Sequence, residues 1–530
     1  MMGERLPLRE KICYALGDAS ANIAWRGVCT FLFIFYTDVF GLDPLAVGTL
    51  FFAVRLSDGV SDVAMGVIGD RTRSKYGKFR PWVLWTAIPL AVILSLMFTC
   101  PSGLGETGRL VYAYATYFVF TLVYTANNIP YGALMAVMTG DDRERASVGS
   151  FRMAGAFAGG MLVQGLLLFL VARFGDIDPS VAVERQADDP ASCVVTVTSP
   201  RDVAHVDLST KDKRALFAEF GSTNAPAPRL SLPMKAGEAC RFRACDAEGL
   251  TADGVTLVDQ SRGYSYAIYV LSAVLALCLF LTFWGTRERV VPPADQKTNL
   301  LRDLANLARN RPWVVLLAVG LLFNVYNAVR QGITVIYFTH YVHRGLLCGA
   351  FLTAIMVASI AGALATGPLA RRFGKRNLFV ATLLGAGAVN ALFAFCGPDD
   401  VTAIFAVGIA GEALAAVFPT LFFTMLGDAA DYSEYVNGRR ATGLVYSAGS
   451  FATKFGGGVA GWIIGAVLAL YGYDGQVAST VPGALPGIKL LMGLVPSAIA
   501  AATALLMFLY PLSDRRLTEI TEALARRRAS

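Results

Sequence analysis

Two carboxylates lie close together inside an apolar stretch of the chain. Asp58 and Asp62 are four residues apart, and Arg55 precedes Asp58 by three. Residues at these spacings share one face of a helix, so the three charges are expected to be neighbours. A carboxylate at bilayer depth costs about 2.5–3.5 kcal/mol on insertion scales, and by default it marks a functional site. The alternative is that both are helix-end residues in headgroup water.

The composition predicts a polytopic membrane protein. Of the 530 residues, 55% are hydrophobic and 16% are charged, and the mean hydropathy is +0.52. Soluble domains carry about 25% charged residues. The net charge of +7 comes from basic residues clustered in short loops, as membrane topology requires, so it does not indicate nucleic acid. The first 25 residues lack the pattern of a cleaved signal peptide.

About twelve stretches reach the ~20 apolar residues that a spanning helix needs. They are 15–41, 45–68, 82–100, 110–136, 147–173, 264–285, 314–340, 347–369, 377–396, 401–426, 441–472 and 487–511. An even number puts both termini on one side of the bilayer. Because the alternate loops that share that side hold most of the Lys and Arg, the termini are expected in the cytoplasm.

The two halves of the chain repeat one pattern. Gly66 precedes the charged cluster of Asp70, Arg71 and Arg73, and Gly367 precedes Arg371 and Arg372 after the eighth stretch. Such internal repeats are typical of transporters, in which the binding site lies between the halves. The glycines would let helices approach, and the charges would act as a gate by pairing with neighbouring helix ends. Ordinary cytoplasmic turns are the alternative.

The predicted organisation has five parts. Residues 1–173 hold helices 1–5, residues 174–263 form a polar insert on the outer side, and residues 264–285 form helix 6. Residues 286–313 form a central cytoplasmic loop with an amphipathic helix, and residues 314–530 hold helices 7–12 and a tail.

The insert is expected to be a small β-rich cap. The alternating segment from Ser192 to Ser199 predicts a half-buried strand. Cys193, Cys240 and Cys245 lie in this insert, where an oxidising compartment favours one disulfide. The sequence does not identify the pair.

Polar residues recur inside the apolar stretches. A single amide can simply join two helices, but together these residues outline a polar cavity that crosses the bilayer. Lys454 and Arg330 require counter-charges, for which Asp58, Asp62, Asp18 and Glu412 are available. The residues that we expect to face the cavity are Asp18, Asn22, Trp25, Tyr124, Thr125, Asn128, Arg152, Asn327, Arg330, Glu412 and Lys454.

The chain resembles the glycoside–pentoside–hexuronide:cation symporters of the major facilitator superfamily, the family of melibiose permease. The motifs that carry the resemblance are AVRLSDGVSDVAMG, RTRSKYGKFRPW, NNIPYGAL and GDAADYSEYVNGRRATGLVYSAGSFATK. It implies an all-α membrane protein with twelve helices in two six-helix bundles. It also implies cation-coupled uptake of a glycoside, pentoside or hexuronide by alternating access.

The resemblance also implies roles for residues. Asp58, Asp62 and Thr125 would bind the coupling cation, which is Na⁺ or a proton, and Lys454 and Arg55 would couple it to transport. An empty site would leave two carboxylates facing one lysine. The residues implied in substrate binding are Asp18, Asn22, Trp25, Tyr124, Asn128, Arg152, Asn327 and Arg330.

Departures from the family leave the substrate open. Where melibiose permease has two sugar-binding acids, this chain has Asn22 and Asn128, and Gly132 replaces its stacking tryptophan. Fewer carboxylates leave room for an anionic ligand such as a uronide, which could pair with Arg152 or Lys454. The wider cavity also suits the alternative substrate, an amphiphile such as a lysolipid or drug.

No motif of a known enzyme mechanism is found, so we expect a transporter without enzymatic activity or cofactor. Its expected partners are a small-molecule substrate, the coupling cation and the lipid bilayer. We expect a monomer in the inner (plasma) membrane that binds no nucleic acid.

Overall fold

The computed structural model describes residues 6–139, 141–186, 189–210, 216–220, 230–247, 250–289, 310–437, 442–512 and 514–529. In the first half the described helices are α1 (Leu8–Ile34), α2 (Pro44–Arg71), α3 (Arg80–Met97), α4 (Glu106–Met138), α5 (Asp142–Gly175) and α6 (Gln260–Gly285). In the second half they are α7 (Arg311–Ile336), α8 (Gly345–Phe373), α9 (Lys375–Ala391), α10 (Val401–Ala415), α11 (Val417–Asn437), α12 (Thr442–Leu470), α13 (Val481–Met492), α14 (Leu494–Met507) and α15 (Asp514–Ala529). The helix expected near Asn299 lies outside the described residues.

Among the described residues, eight helical segments are long and apolar enough to cross a membrane. The chain is therefore a multi-pass membrane protein that is mostly helical. Helix α2 is not among these segments, because Arg55, Asp58 and Asp62 interrupt its apolar stretch. The charges that interrupt α2 are thus the residues that carry the candidate chemistry.

Two stretches predicted as single helices are each divided by a proline. Pro419 has no N–H to donate to the carbonyl of Ala415, where α10 ends. In the same way, Pro496 cannot bond to Met492, where α13 ends. The predicted stretches 401–426 and 487–511 therefore each consist of two helices that meet at a bend.

The chain between α5 and α6 folds into two antiparallel sheets. One has the order β1-β8-β4-β6 and the other has the order β2-β3-β7-β5. Buried residues of both sheets, such as Val195 and Leu257, belong to one apolar cluster, so the sheets pack face to face. The strands are β1 (Asp176–Ile177), β2 (Ser180–Gln186), β3 (Asp189–Thr198), β4 (Val203–Thr210), β5 (Leu216–Glu219), β6 (Leu230–Met234), β7 (Ala239–Cys245) and β8 (Val255–Asp259).

The expected disulfide is not formed, because Cys193, Cys240 and Cys245 are all free thiols. Cys193 lies opposite Ala244 while Cys240 lies opposite Val197, so these two are four residues out of register. At about 3.3 Å per residue, their separation exceeds the ~7 Å that a disulfide can bridge. Cys245 points to the other face of β7. Burial also raises the pKa of the Cys193 thiol and so disfavours the reactive thiolate.

The two halves pack together most closely at the end where the sheets lie, which we call the sheet end. Here glycines of α2 and α12 face each other: a Cβ on Gly48 would lie 2.7 Å from the carbonyl oxygen of Gly461, and one on Gly465 would overlap Pro44. Gly349 of α8 meets the backbone of Gly165 of α5 in the same way. The backbones therefore approach without intervening side chains.

The halves separate toward the opposite end, which carries both chain termini and which we call the terminal end. Met153 of α5 and Leu364 of α8 continue the contacting faces of their helices, yet they are 54% and 76% exposed. A Cβ on Gly66 or Gly367 would meet no atom within 4 Å. The prediction that these two glycines allow helices to approach is therefore wrong for this conformation, in which a crevice opens at the terminal end.

The glycine contact predicts a difference between two substitutions in α12. Gly465→Ala places a methyl group against Pro44 and Gly48, and overpacking of this kind costs about 1–3 kcal/mol. We expect it to lower the free energy of unfolding, measured by thermal unfolding in detergent. Gly457→Ala is the matched control, because its methyl group enters open space. An equal loss in both variants would contradict the packing argument.

Candidate functional site

The strongest contact between the halves inside the helical region is an ion pair. Lys454 of α12 places its Nζ 2.6 Å from both carboxylate oxygens of Asp62 of α2. Thr125 of α4 donates its hydroxyl to Asp62 Oδ1 at 3.1 Å. The structure thus brings together three of the residues predicted from the sequence. The side chains of Lys454 and Asp62 are 12% and 18% exposed, so both remain accessible to solvent.

Asp58, one turn before Asp62, has a different partner. Its Oδ2 accepts a hydrogen bond from Arg55 Nη1 at 2.8 Å, and these two side chains are 2% and 4% exposed. Asp58 Oδ1 is buried and has no hydrogen-bond partner among the described residues. The two carboxylates therefore face two cations, and not the single lysine that we expected. Asp58 retains one free acceptor for an incoming ligand.

Aromatic rings connect the charged residues of α2 to predicted substrate-binding residues. The guanidinium of Arg55 lies 4.3 Å from the ring centroid of Trp25, within the range of a cation–π contact. Trp25 stacks on Tyr124 with the ring centroids 5.2 Å apart. A ligand that displaced either ring would therefore alter the contacts of Arg55 and, through Arg55, the hydrogen bond to Asp58.

The other predicted substrate residues of the first half lie on α1, α4 and α5. Arg152 Nε lies 3.3 Å from Asp18 Oδ1, and Asn22 donates its amide to the Asp18 carbonyl oxygen. Asn128 is partly exposed on α4. Gly132 faces open space, which agrees with the wider cavity inferred from the sequence. Arg152 and Lys454, which were the expected partners of a uronide, are both already paired with carboxylates.

A polar cavity lies between the halves, next to α7. Arg330 Nη1 donates to Glu412 Oε2 at 2.9 Å and lies 3.3 Å from the Tyr326 hydroxyl. Asn327 and Arg330 line the cavity together with Glu412, as expected. The cavity is lined by Arg26, Phe157, Gln164, Asn327, Arg330, Gln331, Thr334, Leu352, Ile355, Met356, Ser359 and Glu412.

Sequence reasoning missed Arg26, which lies on α1 directly after Trp25 and lines this cavity. The available signal was a lone arginine in an apolar stretch, which marks a functional candidate in a membrane protein. The residue was overlooked because it has no charged neighbour in the sequence. Only the fold brings it near Glu412.

A second missed feature closes the sheet end. Helices α1 and α7 each continue into a short π-helical segment, Phe35–Val39 and Tyr337–Tyr341. Asp38 and His340 occupy the fourth position of these segments, and Asp38 Oδ2 lies 2.6 Å from His340 Nε2. Tyr473 donates its hydroxyl to Asp38 Oδ1 at 2.7 Å. We call these three buried residues the sheet-end lock, since they join the first half to the second.

The residues predicted to form a gate lie at the open terminal end. Arg71, Arg73, Arg371 and Arg372 are exposed and make no ion pair with a described residue. The side chain of Asp70 lies outside the described residues. Because the halves are separated here, the structure does not test the gate, which stays a prediction.

The candidate cation site is composed of oxygen ligands. Among the described residues, no group of three or more His, Cys, Asp and Glu side chains is arranged to hold a metal ion. Asp58, Asp62 and Thr125 supply two carboxylates and one hydroxyl. These are hard oxygen ligands of the kind that suits Na⁺, and the same carboxylates can carry a proton.

Similarity to known proteins extends along almost the whole chain. Residues 13–514 match the family model described as MFS/sugar transport protein. The inner membrane symporter YicJ of Escherichia coli (strain K12) is 30% identical, and the match covers 99% of this chain and 96% of that protein. The isoprimeverose transporter of Lactiplantibacillus pentosus is 27% identical, with 95% and 89% covered. The glucuronide carrier protein homolog of Escherichia coli is 28% identical, with 98% and 96% covered.

Solved structures show the same fold. A bacterial homolog of the human lysosomal transporter Spinster, in an inward-facing and unoccupied conformation, has a TM-score of 0.62 and 12% identity, and 97% of each chain is covered. The D-xylose-proton symporter has a TM-score of 0.57 and 11% identity, with 95% of this chain and 98% of that chain covered. The described residues thus have the MFS transporter fold.

Because Asp62 and Lys454 are paired, we expect the replacement of one of them to destabilise the protein more than the replacement of both. Lys454→Gln or Asp62→Asn alone leaves an uncompensated charge at this depth, and breaking a fully buried pair costs about 3–5 kcal/mol. Because both side chains are partly exposed, we expect a smaller loss here. The double variant removes both charges, so we expect it to unfold at a higher temperature than either single variant. A double variant whose losses simply add would argue against direct pairing.

Proposed function

The chain belongs to the family of MFS/sugar transport proteins, and we propose that it is a secondary active transporter for a sugar-like solute. Transport is driven by a monovalent cation, Na⁺ or a proton, that moves with the sugar. The observation that carries this proposal is the pair of α2 carboxylates, one of which is held across the two halves by Lys454.

Coupling follows from competition for Asp62. The carboxylate cannot hold both Lys454 and a second cation at full strength, so binding of Na⁺ or a proton displaces the lysine. The displaced ammonium faces the central space, where the oxygens of a substrate accept its hydrogen bonds. Asp58 contributes its free oxygen to the cation. The contact between halves therefore responds to the cation and the sugar together.

The driving force is sufficient for accumulation. A monovalent cation that crosses about 100 mV releases roughly 2.3 kcal/mol. At a tenfold change per ~1.4 kcal/mol, this concentrates a solute about fifty-fold. A concentration gradient of the cation adds to this value.

The residues around the central space suit a sugar. Trp25 and Tyr124 offer an aromatic surface, while Asn22, Asn128 and Asn327 offer amides that can both donate and accept hydrogen bonds. The named relatives include an isoprimeverose transporter and a glucuronide carrier homolog. An amphiphile is therefore the less favoured substrate. Uptake of glycosides, uronides and lysolipids into vesicles under imposed Na⁺ or pH gradients separates the two.

The proposed arrangement in the membrane has twelve spanning helices in two bundles of six. Both termini lie in the cytoplasm and the two-sheet domain lies on the outer side of the inner membrane. The basic residues of the loops at the terminal end support this orientation, because such residues stay cytoplasmic. In this orientation the described conformation is open to the cytoplasm. The transporter works as a monomer.

Alternating access requires that the sheet-end lock open when the terminal end closes. Asp38, His340 and Tyr473 must part for substrate to enter from outside, and Arg71, Arg73, Arg371 and Arg372 would then pair with helix ends at the closing terminal end. Each end is thus held by contacts that exist in only one state, which is how a transporter avoids opening at both ends.

Substitution of the α2 carboxylates tests the coupling. We expect Asp58→Asn and Asp62→Asn to abolish cation-stimulated uptake, because a neutral amide neither attracts a cation nor carries a proton at neutral pH. The measurement is sugar accumulation in proteoliposomes with and without a cation gradient. Asp399→Asn is the matched control, because Asp399 is 93% exposed and lies far from the pair along the chain. Full cation-driven accumulation by either α2 variant would refute the assignment.

Substitution within the lock tests alternating access. Tyr473→Phe removes the hydroxyl that contacts Asp38 and lies 3.0 Å from His340 Nε2, at a cost of about 0.5–1.5 kcal/mol per lost hydrogen bond. We expect the sheet end to open more often, which lowers the steady-state accumulation ratio. Tyr471→Phe is the control, because Tyr471 is 40% exposed. Accumulation equal to that of the unmodified protein would show that the hydroxyl does not hold the end closed.

A further inference from the structure

Arg26 differs from the other cations of the central region in having no carboxylate within hydrogen-bond distance among the described residues. Arg55, Arg152, Arg330 and Lys454 each lie 2.6–3.3 Å from a carboxylate oxygen. Arg26 makes no hydrogen bond or ion pair with any residue that the structure describes. It is surrounded by protein, and it is partly exposed only because it lines the cavity between the halves.

The cavity around Arg26 carries an excess positive charge. Its only described carboxylate is Glu412, which interacts electrostatically with Arg26 but makes its hydrogen bond to Arg330. Two guanidinium groups therefore share one carboxylate. In a region of low dielectric constant an uncompensated charge is unfavourable, and one anion would neutralise the cluster.

The other groups of the cavity supply neutral hydrogen-bonding partners and no further charge. Asn327 and Gln331 of α7 line it, and Gln164 of α5 uses its amide nitrogen to reach Thr30 at 3.1 Å. The Met356 side chain lies over Gly160, close to the Arg26 stem, and forms an apolar wall. A cation would be repelled here, and a neutral hydroxyl would leave the charge uncompensated.

The size of the cavity suits a charged group rather than a whole sugar. The volume of the cavity is about 30 Å³, and one ordered water needs about 10–15 Å³. A carboxylate or a sulfonate fits this space. The ring that carries it would lie outside this space.

We propose that Arg26 is a specificity-determining residue that binds an anionic group, a carboxylate or a sulfonate, on the transported sugar. Arg330 and Glu412 lie beside this group and position it. The proposal rests on the function proposed above and assigns the anion to Arg26, whereas Arg152 and Lys454 keep their carboxylate partners. A planar guanidinium can donate two parallel hydrogen bonds to either anion.

The test uses methyl glycosides that differ only at C6, which carries a hydroxyl, a carboxylate or a sulfonate. Each is prepared as the glucoside and the galactoside, and its KM for uptake is measured in proteoliposomes that contain the full chain. We expect the unmodified protein to have a lower KM for the charged members. Arg26→Gln is expected to raise the KM ratio of charged to neutral glycoside about 10- to 100-fold, the value of one charge-assisted hydrogen bond.

Two further variants control this result. Arg26→Lys keeps the charge without the paired donors, so it should restore part of the discrimination. Arg344→Gln removes a half-exposed arginine outside the cavity and should leave the ratio unchanged. An Arg26→Gln protein whose KM rises equally for charged and neutral glycosides would overturn the proposal.

A measurement on the unmodified protein decides the matter if Arg26→Gln does not fold. In detergent, the carboxylate and sulfonate glycosides should raise the temperature of unfolding more than the hydroxyl glycoside at equal concentration and ionic strength. Equal shifts would overturn the role of Arg26. Cation-driven accumulation of the hydroxyl glycoside alone would overturn it too while leaving the proposed function intact, whereas accumulation of none of the glycosides would count against both.

Discussion

A charge inside a membrane is costly without a partner, and this cost organises the centre of the molecule. Asp62 is paired with Lys454, Arg330 with Glu412, and Asp18 with Arg152. Each of these pairs joins two different helices, so the cost of burying charge is offset by contacts that fix how the helices lie against each other. Only the pair between Asp62 and Lys454 crosses from one half to the other among these three, so it is the one of the three that a relative movement of the halves can break.

The pairs differ in how readily they can break. Arg55 and Asp58 lie three residues apart on one helix, both almost completely buried, and the guanidinium is also covered by Trp25. Asp62 and Lys454 lie on different helices and reach the solvent of the open crevice. Water can replace either partner of the second pair at a lower cost than it can for the first. The same helix therefore carries one fixed carboxylate and one that can exchange its partner.

Much of this arrangement could be predicted from the sequence, because the cost of charge in lipid is large and independent of the details of packing. The positions of most of the helices and the strand within 192–199 were predictable from local patterns. The proximity of Thr125 and Lys454 to Asp62 was implied by the resemblance to the symporter family and not by a local pattern. The bends at Pro419 and Pro496 were missed because both lie in otherwise continuous apolar stretches. The predicted disulfide is not formed, because the register of the strands keeps the cysteines apart and is set by the whole sheet. Contacts between distant residues leave no local pattern, which is why Arg26 and the sheet-end lock were found only in the fold.

The sheet-end lock also shows that a contact between two similar halves can require different residues in each half. Asp38 and His340 occupy equivalent places in the two π-helical segments, FYTDV and YFTHY. If both places held aspartate, two carboxylates would repel each other, and two histidines would lack the carboxylate that contacts both a ring nitrogen and the Tyr473 hydroxyl. The contact exists because the two segments carry different residues at the fourth position. The matching π-helical segments of the two halves thus set the geometry of the sheet-end lock. Its hydrogen bond required different residues at the fourth position.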